Sequence, residues 1–248
     1  MGSHTAWVGT SGWQYRDWRG PFYPRDLPMD EWLQHYVTRF VTTEVNNTFY
    51  RLPPRATFER WERQTPEGFL MAVKASRYLT HIKRLRDPSE PVERLLEAAQ
   101  GLGSSLGPVL FQLPPTLRAD VGLLRDLLQS VGSRVRSAVE FRHPSWMRSD
   151  VLDTLADEHA ALVLADRPRA RIEPLATARW TYIRFHRGAE SGHGYTRRKL
   201  VRWAERLAAM PVSQSFTYFN NDPGAAAPRD AATFRQLLEE RGLIARSP

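Results

Sequence analysis

The sequence predicts an α/β protein folded as a TIM-type (β/α)8 barrel. Three observations carry that prediction. Eight short strand-like runs alternate with about seven helix-like stretches over 248 residues. Each strand–helix–strand step is long enough for a parallel crossover. The strands repeatedly turn polar on one face at their C-terminal ends, where barrel sites lie. A doubly wound open sheet is the rival arrangement, but no Gly-x-Gly-x-x-Gly fingerprint follows the first strand and no Walker A motif occurs.

The first strand is Trp7–Gly12, ending in a Gly-rich turn and followed by an aromatic loop with Trp13, Tyr15, Trp18, Phe22 and Tyr23. Met29–Phe40 has helical spacing, with Trp32, Leu33, Tyr36 and Phe40 on one face. Phe40–Tyr50 alternates as a second strand, and Ala56–Gln64 is a helix after Pro53-Pro54. Phe69–Ser76 is strand three, with Leu70, Ala72, Lys74 and Ser76 sharing a face; a helix follows around Val92–Leu102. Val109–Leu113 is strand four, stopped by Pro114-Pro115, and Val121–Val131 is a helix. Strand five lies in Ser137–Trp146: Val139 and Phe141 point one way, Glu140 and Arg142 the other, until His143-Pro144 ends the run. Asp150–His159 is a helix and Ala161–Asp166 is strand six. The short, proline-bearing segment Arg167–Arg179 leaves helix six reduced or missing. Trp180–Arg187 is strand seven, Gly188–Gly194 a Gly-rich loop, Thr196–Met210 a helix, Ser215–Asn221 strand eight, and Asp230–Arg241 the last helix. No repeat or linker divides the chain, so residues 1–248 read as a single barrel domain, with 1–5 a flexible N-terminus.

Bulk composition bounds the function. A 42% hydrophobic content supports a sizeable core, and the lack of cysteine rules out disulfides, thiolate metal sites and a cysteine nucleophile. No apolar run reaches the roughly 18 residues of a transmembrane helix. The N-terminus lacks the basic and apolar regions of a signal peptide, so a cytoplasmic protein without membrane contact is expected. A net charge of +8 points to anionic partners: nucleic acid, nucleotides or phosphorylated metabolites. Only Lys74, Lys83 and Lys199 are lysines, however, and the arginines are scattered, which fits genomic base composition as readily as function.

The most specific signal is the set of polar residues late on the strands: Thr10, Glu44, Asn46, Lys74, Gln112, Glu140, Arg142, Asp166, Arg184, His186, Asn220 and Asp222. In a barrel they converge on the C-terminal mouth. Glu44, Glu140, His186 and Asp222 are the catalytic candidates, as acid–base groups near neutral pH. Lys74, Arg142 and Arg184 are candidate anion holders, with Asn46 and Asn220 orienting the substrate. Trp13 and Trp146 are candidate stacking rings, although packing against the barrel rim is their simpler role. His81 and His143 read as ordinary polar contacts beside loops. The carboxylates could surround a divalent metal, but three cations in the same mouth favour an anion, and no motif indicates a metal or cofactor. The plain alternative is an internal salt-bridge layer that holds the barrel together without chemistry.

Several segments together resemble the YecE-like family, domain of unknown function 72. They are Gly9-Thr10-Ser11-Gly12-Trp13 with Tyr15 and Trp18; Phe22-Tyr23-Pro24; Glu44-Val45-Asn46-Asn47-Thr48-Phe49-Tyr50; Val73-Lys74-Ala75 with Thr80-His81; Phe111-Gln112-Leu113-Pro114; Val139-Glu140-Phe141-Arg142-His143 with Ser145-Trp146; Arg184-Phe185-His186; and Asn220-Asn221-Asp222. The resemblance covers nearly the whole chain in order. It implies a TIM-type barrel and brings no activity with it. From the mouth residues, the leading expectation is an enzyme, a hydrolase or lyase, acting on an anionic small molecule or a phosphodiester. The rivals are a nucleic-acid-binding protein or metal-dependent nuclease, and a non-catalytic partner-binding barrel.

Overall fold

The computed structural model describes residues 4–166, 174–186 and 194–247. Eight parallel strands close into a barrel: β1 Thr5–Thr10, β2 Thr42–Val45, β3 Leu70–Lys74, β4 Leu106–Gln112, β5 Ser137–Glu140, β6 Ala161–Asp166, β7 Trp180–Phe185 and β8 Gln214–Phe219. Neighbours follow chain order, and β1 closes the ring by pairing with β8 along its length and with β2 at Thr10–Thr43. A two-residue strand, β9 Ile244–Ala245, adds to the free flank of β1. Thr5 opens β1, opposite Gln214 and Ile244. The first strand therefore begins inside the segment 1–5 that was expected to be flexible.

Helices α1 Trp32–Val37, α2 Arg55–Arg63, α3 Ser89–Ala99, α4 Val121–Val131, α5 Ser149–Asp157, α6 Arg197–Ala208 and α7 Ala226–Glu239 surround the barrel. Their boundaries follow local chemistry. Asp120 accepts from the Leu123 amide to start α4, and Gly132, at φ 58°, ends it in a conformation that glycine adopts freely. Thr196 caps α6 through the Lys199 amide. Between β6 and β7, residues 174–179 form no helix, while 167–173 lie outside the described residues, as does most of the Gly188–Gly194 loop. Among the described residues no helix is long and apolar enough to cross a membrane.

Period-2 alternation divides the interior into two layers. Outward side chains such as Val73, Phe111, Val139, Leu164, Ile183 and Phe219 pack beneath the helices. Inward ones fill the barrel: Trp7, Ala72, Leu110, Ala138, Val163, Tyr182, Phe216 and Tyr218. The N-terminal end is plugged by rings. Trp7 stacks on Phe216 at 4.9 Å, Trp180 meets Phe216 edge-on, and Arg136 and Arg246 lie over this cluster. Gly9 is required where β1 crosses β2, because a Cβ there would stand 2.0 Å from the Thr42 carbonyl oxygen.

Strands two and five end earlier than their alternation suggests. After Val45 the Thr48 hydroxyl donates to the carbonyls of Val45 and Lys74, turning the chain into a short 3-10 segment. After Glu140 the ladder closes with the Leu113 amide, and His143 Nδ1 accepts from the Ser145 amide to start the next turn.

Candidate functional site

Strand ends and the loops after them build the C-terminal mouth. Its centre is Arg184 on β7, buried with its charge matched from two sides. Nη2 donates to Glu44 Oε1 of β2 at 2.6 Å, and Nη1 donates to Glu140 Oε2 of β5 at 2.7 Å. Tyr182 donates to Glu44 Oε2 at 2.6 Å, Ser11 donates to Glu44 Oε1, and Gln112 donates to Glu140 Oε2 at 2.9 Å. Arg142, just past β5 and 30% exposed, reaches Glu140 Oε1 with Nε at 3.2 Å. Burial by itself would raise both carboxyls. Arg184 and the surrounding donors outweigh it and hold Glu44 below, and Glu140 well below, the usual carboxylate range. Burial likewise opposes the Arg184 charge, and Glu44 and Glu140 overcome it. The result is a fully ionised layer joining β2, β5 and β7 across the barrel.

Lys74, at the end of β3, differs. It is 8% exposed, and among the described residues no carboxylate lies within salt-bridge distance of Nζ. Its ammonium instead stands 4.2 Å from the centroid of the Phe49 ring. Burial first, then the Arg184 charge, brings Lys74 down to about 8, and Glu44 and Glu140 offset this only in part. His81 is also lowered, by burial and then by Lys74 and Arg142, which places it beside this cationic side of the mouth.

The opposite side carries unsatisfied groups. Asn46 Nδ2 donates to Ser11 Oγ at 2.6 Å, leaving its buried Oδ1 without a partner. Tyr15 donates to the Ser11 carbonyl at 2.5 Å, and Asp222 Oδ1 is buried and unpartnered. Burial raises the Asp222 carboxyl to about 7; the Tyr15 hydroxyl lowers it in part, and Asp17 and Glu44 add to the rise. His186 Nδ1 accepts from Asn220 Nδ2 at 3.3 Å, so the proton of the neutral ring sits on Nε2. That Nε2 stands 3.7 Å from Glu140 Oε1, beyond hydrogen-bond distance, and it too is buried without a partner. Burial holds His186 below its ordinary value.

Ten of the late polar residues thus meet at the mouth: Glu44, Asn46, Lys74, Gln112, Glu140, Arg142, Arg184, His186, Asn220 and Asp222. Trp13 and Trp146 are a correction. Trp13 is buried against Trp61 of α2, and Trp146 stacks on Phe141 while donating to the Leu117 carbonyl, so neither presents a ring to a ligand. Two other late polar residues face outward. Thr10 bonds the Tyr36 hydroxyl of α1, and Asp166 is held by Tyr195 at 2.8 Å and Lys199 at 2.7 Å. Among the described residues, no three His, Asp or Glu side chains are placed to hold a metal ion.

A family model described as "Protein of unknown function DUF72" matches residues 7–248. The chain belongs to the DUF72 family. This agrees with the YecE-like resemblance read from its motifs. A DUF72 family protein from Thermotoga maritima MSB8 is 30% identical, with a TM-score of 0.85, covering 95% of this chain and all of that one. The UPF0759 protein YunF of Bacillus subtilis (strain 168) is 25% identical over 270 residues, 94% of each chain. A DUF72 family protein from Enterococcus faecalis V583, 18% identical over 94% of this chain and 95% of that one, shares the fold at a TM-score of 0.80.

In this DUF72 chain three mouth residues escaped nomination from sequence: Ser11, Tyr15 and Tyr182. Tyr182 lies on an inward face, two residues before Arg184, so parity marks it. Ser11 directly follows β1, whose inward face Gly9 conceals, and Tyr15 sits in the loop beyond, where no alternation applies.

Proposed function

We propose that this DUF72 protein is an enzyme acting on a small anionic substrate, bearing phosphate or carboxylate, at the C-terminal mouth of its barrel. The charge balance of the mouth carries the reading. Two carboxylates, Glu44 and Glu140, are matched by two guanidiniums, Arg184 and Arg142. Lys74 is left as a recessed cation with no counter-charge within reach among the described residues. A buried ammonium is costly unless something compensates it, and an anion seated against Lys74 and the exposed edge of Arg142 supplies that compensation.

In this reading Arg184, Glu44 and Glu140 form the framework rather than the moving parts. Arg184 is buried with both terminal nitrogens engaged by Glu44 and Glu140, and two carboxylates held ionised by it make poor acids. Proton transfer falls to Asp222, whose carboxyl titrates at about 7 and so can both give and take a proton near neutral pH. His186 Nε2 and Asn46 Oδ1 offer a donor and an acceptor to a substrate's polar groups, with Asn220 fixing the histidine tautomer. Lys74 is only 8% exposed, which suits a small anion rather than the backbone of a nucleic acid.

Thermal denaturation with inorganic phosphate at constant ionic strength tests the reading. Phosphate should raise the midpoint of the wild type at pH 7 and leave Lys74→Met unmoved. A wild type indifferent to phosphate, or a variant that responds equally, overturns it.

A further inference from the structure

A cleft of about 310 Å³ lies between the loops that follow β2 and β3 and helix α3, against the Phe49 ring over which the Lys74 ammonium sits. Phe49, Tyr50, Leu52, Ser76, Tyr78 and Arg94 line it. That volume is at the lower end of small-molecule sites, roughly 300–1,000 Å³. Phe49 is the wall it shares with the mouth, since the same ring carries the Lys74 ammonium. Ser76 follows two residues after the end of β3.

Three features set this cleft apart from the rest of the surface. Tyr50 is 83% exposed and Tyr78 47%, so two large rings of its lining are held in water. Grouped exposure of this kind marks interaction sites, whereas scattered exposure does not. The loop after β3 is also irregular, with a π-helical turn over Tyr78–Ile82, a form frequent at functional sites. Finally, Arg84, Leu85 and Asp87 of the same loop all have positive φ, at 53°, 68° and 41°. Such backbone is uncommon for residues other than glycine and persists only where the surroundings impose it.

We infer that the substrate carries a planar aromatic or heteroaromatic ring, seated in the Phe49–Tyr50–Tyr78 cleft while its anionic group meets Lys74. This rests on the proposed anion site at the mouth and adds the substrate's second half. Tyrosine rings and the Arg94 guanidinium offer flat faces for a ring to stack on. An aliphatic anion of equal charge would leave the cleft empty.

Calorimetric titration of the full chain with four probes tests this. Inorganic phosphate reads the mouth alone, glycerol phosphate adds an aliphatic body, phenyl phosphate adds a simple ring, and adenosine monophosphate adds a nucleobase. Phenyl phosphate or adenosine monophosphate should bind about tenfold tighter than glycerol phosphate, the scale of one stacked ring. Whichever is the tighter distinguishes an aryl from a nucleobase substrate. The gain should vanish in Tyr50→Ala/Tyr78→Ala, with phosphate binding unchanged. Both side chains are exposed, so the variant should melt as the wild type does. Equal affinity for ring-bearing and aliphatic probes, or a gain that survives the double substitution, overturns the inference and leaves the anion site standing. A wild type that binds no phosphate overturns the anion site and this inference with it.

Discussion

Lys74→Met should make the protein more stable while removing its response to anions. The magnitude follows from the site. Burial and Arg184 bring the Lys74 ammonium from 10.5 to about 8. Each tenfold displacement of a proton equilibrium is about 1.4 kcal/mol, so holding Lys74 charged at pH 7 costs the folded state about 3 kcal/mol. Methionine keeps most of the apolar stem but gives up the cation–π contact with Phe49, worth about 1 kcal/mol. The net gain is about 2 kcal/mol, which in a domain of this size raises the melting midpoint by about 4–8 °C.

The pH dependence gives the effect a signature. Between pH 8 and 10.5 the unfolded chain binds a proton at Lys74 that the folded chain does not. Wild-type stability from this group therefore rises with pH across that window, and the penalty is fully present below it. The advantage of Lys74→Met should be largest at pH 7 and gone near pH 10.5. Urea denaturation of both proteins at several pH values measures it. A variant less stable than wild type at pH 7, or an advantage that stays constant up to pH 10.5, would refute the reasoning that Lys74 is an uncompensated buried charge.

Three further outcomes are expected. Arg184→Met should cost about 3–5 kcal/mol in urea denaturation, because it strands two buried carboxylates. Asp222→Asn should stabilise the fold by up to about 4 kcal/mol above pH 7. That gain should fade as pH falls from 7 to 4, since the carboxyl raised to about 7 is charged only at the upper end, and melting curves across that range follow it. Gly9→Ala should abolish the native circular dichroism spectrum, as its Cβ would overlap the Thr42 carbonyl, which is backbone and cannot turn aside.

The sequence made the barrel legible because its strands carry unequal faces. On β3, β5 and β7 the inward positions run from small or aromatic residues to Lys74, Glu140 and Arg184, so alternation alone places those charges correctly. Where both faces are apolar the parity is lost. In β6, Ala161, Val163 and Ala165 point in while the larger Leu162 and Leu164 point out, and Asp166 follows the leucines to the helix layer. In β1, Gly9 conceals which face is inward, so Thr10 was read as a mouth residue and Ser11 was missed. The loop tryptophans failed for another reason. Burial of Trp13 and Trp146 depends on α2 and on the Leu117 turn arriving from elsewhere in the chain, which local spacing does not encode. Nor does spacing say which cation takes which carboxylate. Barrel closure sets Arg184 between Glu44 and Glu140 and leaves Lys74 aside.

The two ends of the barrel are closed in different ways, which bears on the proposed function of the mouth. The N-terminal end is closed by Trp7, Trp180 and Phe216, an apolar plug that needs no ionised group inside. The same solution was open at the C-terminal end, where replacing a buried ion-pair layer by packed hydrophobic residues is often neutral or stabilising. Instead the mouth holds six carboxyl, guanidinium and ammonium groups: Glu44, Glu140, Asp222, Arg142, Arg184 and Lys74. The Arg184 layer is compensated internally and so is compatible with a structural role. Lys74 and Asp222 are not. Each is held away from its ordinary protonation equilibrium with its cost offset only in part, by Glu44 and Glu140 at Lys74 and by Tyr15 at Asp222, a pattern that concentrates at functional sites. A barrel selected only for stability would lose both, and the predicted gains of Lys74→Met and Asp222→Asn measure how much stability their retention forgoes.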